Sequence, residues 1–158
     1  MKKIFILIIT ILLITGCNKK KEQIITCTKK GAYTKYAIDK AIDPETIKDE
    51  DSEKIGANVT KIREYYLKKI DNGAKRIREI LEIEYIIETD IEKQKAYYEK
   101  GCNNIGDNYT SCEVKEEGNK ITITAELNLN SSEYSDLKFE LTKKDILEAT
   151  TDGTCIEN

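Results

Sequence analysis

Apolar and polar residues alternate most regularly between Lys120 and Leu129. Ile121, Ile123, Ala125, Leu127 and Leu129 interleave there with Thr122, Thr124, Glu126 and Asn128. A period of two puts each set on one side of a strand. Glu117-Gly118-Asn119 ahead of it predicts a hairpin with a strand over Tyr109 to Lys115. Upstream, Val59 to Ile87 holds two arms rich in Ile and Tyr around Asp71-Asn72-Gly73-Ala74. Asn-Gly readily supplies the positive φ that a tight hairpin turn needs, so these arms also predict a hairpin. On the second arm Ile77, Leu81, Ile83, Tyr85 and Ile87 share a face that Glu79 alone interrupts, with Arg78, Glu82, Glu84 and Glu88 opposite. The first arm, Lys61 to Ile70, alternates less cleanly and is compatible with a helix as well as a strand.

The remaining segments are shorter. Ile24 to Tyr36 reads as a first strand or hairpin broken at Gly31, and the pattern then weakens to Asn58, with a short helix expected from Pro44. Thr89-Asp90-Ile91-Glu92 fits a capping box, with Thr89 as N-cap of a helix running to about Lys100. Its stripe is Ile91, Gln94, Lys95 and Tyr98, with Cys102 just beyond. Leu137 to Leu141 alternates as a strand, and Thr142 to Asp145 repeats the capping pattern ahead of a last helix to about Ala149. Strands separated by one or two short helices predict an α+β domain, an antiparallel sheet with the helices packed on one face.

Before all of this stands Met1 to Cys17. Lys2 and Lys3 precede an apolar run, Ile4 to Ile14, about half the roughly 20 residues a membrane-spanning helix requires. Charge, short apolar run and small residues in that order make a secretory signal. Ile14-Thr15-Gly16-Cys17 resembles the bacterial lipobox, which implies a signal peptide over 1–16 and a diacylglyceryl group on the Cys17 sulfur. More than one acyl chain makes a stable membrane anchor. Residues 17–23, with Lys19-Lys20-Lys21 beside the headgroups, then form a short tether, and 24–158 a single extracytoplasmic domain.

Five cysteines are awkward for an exported chain. Giving Cys17 to lipid leaves Cys27, Cys102, Cys112 and Cys155, which allow three pairings. The expected one is Cys102–Cys112, a local staple, with Cys27–Cys155 tying the ends of the domain together. A four-cysteine metal site lacks the closely spaced pairs that zinc uses, so no metal is expected. The Asp49, Asp51, Glu53 spacing is a poor calcium loop, because Lys54 stands where the glycine belongs.

Net charge is −3 and becomes more negative once Lys2 and Lys3 are removed, which argues against nucleic acid as a partner. Histidine is absent altogether, which removes Ser-His and Cys-His nucleophiles and the usual proton shuttle near neutral pH. No nucleophile elbow, phosphate-cradling loop or C-x-x-C pair appears, and nothing calls for a cofactor. Paired carboxylates are expected by chance among 29 acids. Nine tyrosines without tryptophan raise Tyr65-Tyr66 and Tyr97-Tyr98 as carbohydrate platforms, against the plainer reading that the rings pack.

Ile25-Thr26-Cys27-Thr28-Lys29, Asn119-Lys120-Ile121-Thr122-Ile123-Thr124 and Gly153-Thr154-Cys155, behind a lipobox, resemble small YehR-like lipoproteins. That resemblance implies a sheet-plus-helix fold and an envelope location, and carries over no catalytic residue. The expectation is a non-enzymatic lipoprotein on the extracytoplasmic face of the cell membrane, anchored through Cys17, that engages an envelope protein or serves a structural role. The alternative is a binding module for a small solute, peptide or glycan, marked by a concave apolar pocket beneath one sheet face.

Overall fold

The computed structural model describes residues 23–42, 53–68, 73–148 and 153–158. Outside them lie Cys17 with the signal and the tether lysines, Pro44 with most of the acidic stretch, and Asp71-Asn72 of the first hairpin turn.

Six strands form one antiparallel sheet: β1 (Gln23–Thr34), β2 (Ile55–Leu67), β3 (Ala74–Tyr85), β4 (Tyr109–Glu117), β5 (Lys120–Leu127) and β6 (Thr154–Glu157). Their order across the sheet is β4-β5-β3-β2-β1-β6. The chain builds β1, β2 and β3 side by side, crosses to the far edge for β4, and inserts β5 between β4 and β3. The α+β architecture is as the alternation indicates. Three short helices, α1 (Lys35–Ile42), α2 (Ile91–Cys102) and α3 (Lys143–Glu148), accompany the sheet.

Several elements differ from the pattern reading. The first arm is a strand up to Leu67, paired from Ala57↔Tyr85 to Leu67↔Ala74. Gly31 does not break β1, and α1 begins at Lys35, where the pattern predicts no helix; the helix expected from Pro44 lies outside the described residues. Thr34 starts α1 as a cap would, its hydroxyl accepting from the Ala37 amide at 3.2 Å. The N-cap of α2 is Asp90 rather than Thr89: its carboxylate accepts from Lys93 N at 3.1 Å, and the helix continues through Gly101 to Cys102. In α3 the anticipated box forms, Thr142 Oγ1 accepting from Asp145 N at 3.2 Å and Asp145 Oδ2 from Thr142 N at 2.8 Å.

Leu137 to Leu141 is not a strand. Asp136–Lys138 is a single 3-10 turn, with Glu140 N donating back to Asp136 O at 2.8 Å. Alternation there reflects two leucines, 137 and 141, packed on the core while Phe139 is 64% exposed. The segment closes over the β2–β3 turn, where Gly73 (φ +89) donates to Leu141 O at 2.9 Å. A Cβ at Gly73 would stand 1.8 Å from Lys138 O, so only glycine fits.

All three helices cover the same face. At one end α1 and α2 bring Ile38, Ile91 and Tyr98 onto Ala57, Ile83, Tyr85 and Ile121. Gln94 is 1% exposed there, its carbonyl accepting from Tyr85 Oη at 3.0 Å and its amide donating to Ile38 O at 3.3 Å. Those two bonds join α2 to β3 and α1. At the other end Leu129, Leu137 and Leu141, together with Ile146 of α3, cover Ile25, Leu67, Ala74, Ile77 and Leu127. The opposite face is a surface of cross-strand ion pairs, including Glu64–Arg78 at 3.4 Å and Lys120–Glu82 at 2.6 Å.

Two disulfides brace the sheet. Cys27 and Cys155 are directly opposed on β1 and β6, and Cys102 at the end of α2 is bonded to Cys112 of β4.

Candidate functional site

The two covered ends leave a band of the helix face between them without a lid among the described residues. It forms a groove of about 740 Å³, within the size range of small-molecule sites.

The strand registers define it. Cys27 faces Arg63, Arg63 faces Glu79, Glu79 faces Ala125, and Ala125 faces Cys112, with Cys155 outside Cys27. One row of residues therefore crosses the whole sheet from one disulfide to the other. The next row runs Lys29, Lys61, Leu81, Ile123 and Val114. Successive rows on one face lie roughly 7 Å apart, and the four strand spacings from β1 to β4 span roughly 19 Å. Tyr65, Tyr109 and Ile146 stand along the wall toward α3, and Ile105 leans in from the α2–β4 connection.

The band is polarised along its length. Its β1–β2 half carries Lys29, Lys61 and Arg63, whereas its β3–β5–β4 half carries Leu81, Ile123, Ala125 and Cys112, all half-buried. Glu79 lies at the junction. Its carboxylate pairs with the Arg63 guanidinium and accepts from Tyr109 Oη at 3.3 Å. Burial and the Glu79 charge beside it push the Tyr109 phenol up to about 12, so it stays a donor at any physiological pH. Burial pulls the Arg63 guanidinium down, but Tyr65 and Glu79 beside it more than offset this, and it stays above its ordinary value. Lys61 is exposed and makes no hydrogen bond or ion pair among the described residues.

Chemically the groove offers fixed cations, one carboxylate and an apolar floor. Two-carboxylate hydrolysis needs a second acid across the cleft, and Glu79 is the one carboxylate lining it among the described residues. No group of three acidic or sulfur side chains among those residues comes together to hold a metal.

Of the residues singled out in the sequence, the structure brings Cys27, Cys112 and Tyr65 to the groove. Tyr66 points to the opposite face, buried beneath Arg76, whose guanidinium carbon lies 3.9 Å from its ring centroid. Tyr97 and Tyr98 make an edge-to-face pair with centroids 5.2 Å apart; Tyr98 packs into the core and Tyr97 is exposed. Tyr98 is a packing residue, and the edge-to-face pair offers no flat platform. Lys61, Arg63 and Tyr109 were missed. Their signal was the interruption itself: Glu79 breaks the apolar face of β3, and Lys61 and Arg63 are what blur the alternation of β2. The chain matches no known family model, no characterised protein sequence and no solved structure.

Proposed function

We propose that the chain is a bacterial lipoprotein whose domain, held by acyl chains on Cys17 to the extracytoplasmic face of the cell membrane, binds a small ligand in the groove without transforming it. The groove carries this reading. Among the described residues the central row of the sheet is left uncovered between two ends sealed by apolar packing, which is poorly explained as scaffold alone, since Leu81 and Ile123, at the edge of the core under α1 and α2, stay half-buried where Ile83 and Ile121 are enclosed. The lipobox-like Ile14-Thr15-Gly16-Cys17, the likeness to YehR-like lipoproteins and two bridges suited to an oxidising compartment support the envelope setting.

A domain that instead engages an envelope partner through its surface is the second reading. It is favoured by the end of the sheet where β1 begins. There exposed Phe139 lies under Lys68 and Lys138, whose Nζ atoms are 5.4 and 5.7 Å from its ring centroid. Cys17 is six residues before Gln23, where β1 begins.

Two measurements test the proposal. Cys17→Ser in the full chain releases the protein from the membrane fraction; retention of the variant there would overturn the anchor. Native mass spectrometry of the wild-type protein from cells shows a bound small molecule that Leu81→Trp, which fills the groove, removes. A ligand-free wild-type spectrum, unaltered by Leu81→Trp, would leave the surface-engagement reading in its place.

A further inference from the structure

We propose that the groove takes an elongated, single-chain amphiphile with an anionic head, its head over Lys61 and Arg63 and its apolar body laid across β3, β5 and β4. This rests on the groove being the ligand site and adds the class of ligand.

Three observations carry it. Lys29 and Lys61 hold directly opposed register positions on the groove face, with Arg63 one row on. Like charges opposed across a strand pair cost stability, and the chain as a whole is acidic at −3. A cation cluster is thus placed against both the local cost and the global balance. Glu79 is engaged by Arg63 and Tyr109, and Lys29 too has a partner, whereas Lys61 has none among the described residues. Next, the polarity is lengthwise: beyond Glu79 the floor is Leu81, Ile123 and Ala125, ending at Cys112, with no charged residue lining that half among the described residues. A compact anion such as phosphate would leave this half unused. Finally, the bare band is two rows wide, roughly 7 Å between rows, and roughly 19 Å long. That shape suits one extended chain and excludes two side by side.

A plainer reading is that the lysine stems merely shield Leu81 and Ile123 from water. Under that reading the charge itself is dispensable.

The test is calorimetric titration of the oxidised domain with dodecanoate, dodecylammonium and butanoate, each below its aggregation concentration. Dodecanoate binds one to one, dodecylammonium at least tenfold more weakly, and butanoate not detectably. Lys61→Glu weakens dodecanoate at least tenfold, and Lys61→Met, which keeps an apolar stem, weakens it severalfold. Lys61 is exposed, so both variants keep the fold, checked by their urea midpoints. Equal affinity for dodecylammonium, or Lys61→Met binding like wild type, would overturn the anionic head while leaving the groove a ligand site. Tight butanoate binding would overturn the apolar body. Failure of every dodecyl compound, together with no mass removed by Leu81→Trp, would remove the groove reading itself. Incubation with phosphatidylglycerol vesicles leaves the protein mass unchanged; a retained phospholipid would overturn the single chain.

Discussion

Ile83 and Leu81 are neighbours on one face of β3, and Ile123 and Ile121 repeat the arrangement on β5. Ile83 and Ile121 are 0% exposed under α1 and α2, whereas Leu81 and Ile123 are half-buried at the groove floor. One step along each strand separates a closed core from an open band. Period-2 patterning decides which face a residue takes, and the connections decide what lies over it. Among the described residues, the helices and loops that reach in from both ends stop short of the middle, and the groove follows from that.

The largest effects should come from the bridges that bracket the open band. The Cys27–Cys155 bond closes a span of 128 residues and the Cys102–Cys112 bond one of 10. On chain entropy alone their loss costs about 5 and about 3 kcal/mol respectively, against a total stability of roughly 5–15 kcal/mol for a domain. Urea unfolding of Cys27→Ser/Cys155→Ser and Cys102→Ser/Cys112→Ser measures both. Equal losses would mean that the bare row is not held mainly from its β1–β6 side.

Next in size is the contrast between closed and open residues. Ile83→Ala should cost about 2–5 kcal/mol because a fully enclosed cavity is left. Leu81→Ala should cost less, about 1 kcal/mol, since part of its surface is already in water. Comparable values from chemical denaturation would show that the band is closed in solution.

Much of the fold was legible in the sequence, because strands with strict alternation leave few alternatives. Ile121 to Leu127 could only be a half-buried strand, and Asn72-Gly73 made the β2–β3 hairpin the economical connection. The misreadings have physical causes. α1 was missed because its cap, Thr34, ends a strand and so gives no break in composition. Leu137 to Leu141 mimics a strand because one turn can also place residues four apart on a common surface. The groove was legible only as noise. Lys61, Arg63 and Glu79 lowered the apparent regularity of the strands that carry them, and registers between strands far apart in sequence were needed to show that the irregularities form adjoining rows.

Within the closed end, Gln94 is the polar counterpart of Ile83. Gln94→Ala leaves Tyr85 Oη and Ile38 O without their partner in a buried setting, at about 1–3 kcal/mol. The same end should be sensitive to alkali. Burial, first among the causes, pushes the Tyr85 phenol up to about 12 and holds Tyr98 above its usual value as well. An acid whose folded pKa lies above its unfolded value of about 10 favours folding while protonated. That contribution is complete below pH 10 and declines as pH rises toward 12, on the order of 2 kcal/mol for Tyr85. Urea midpoints from pH 9 to 12 should fall, and Tyr85→Phe should flatten the fall. A flat wild-type profile would place these rings in water.

The smallest effect is also the sharpest probe of the open band. Arg63 and Glu79 form the ion pair at its centre with side chains 49% and 28% exposed. Water-accessible pairs couple by about 0–1 kcal/mol, whereas removing one partner of a buried pair costs about 3–5 kcal/mol. A double-mutant cycle on Arg63→Met and Glu79→Gln therefore reports whether solvent reaches the middle of the helix face. Coupling under about 1 kcal/mol is expected without ligand. A coupling already above about 3 kcal/mol in the free protein would mean that the band is sealed, and the distinction between Leu81 and Ile83 would disappear with it.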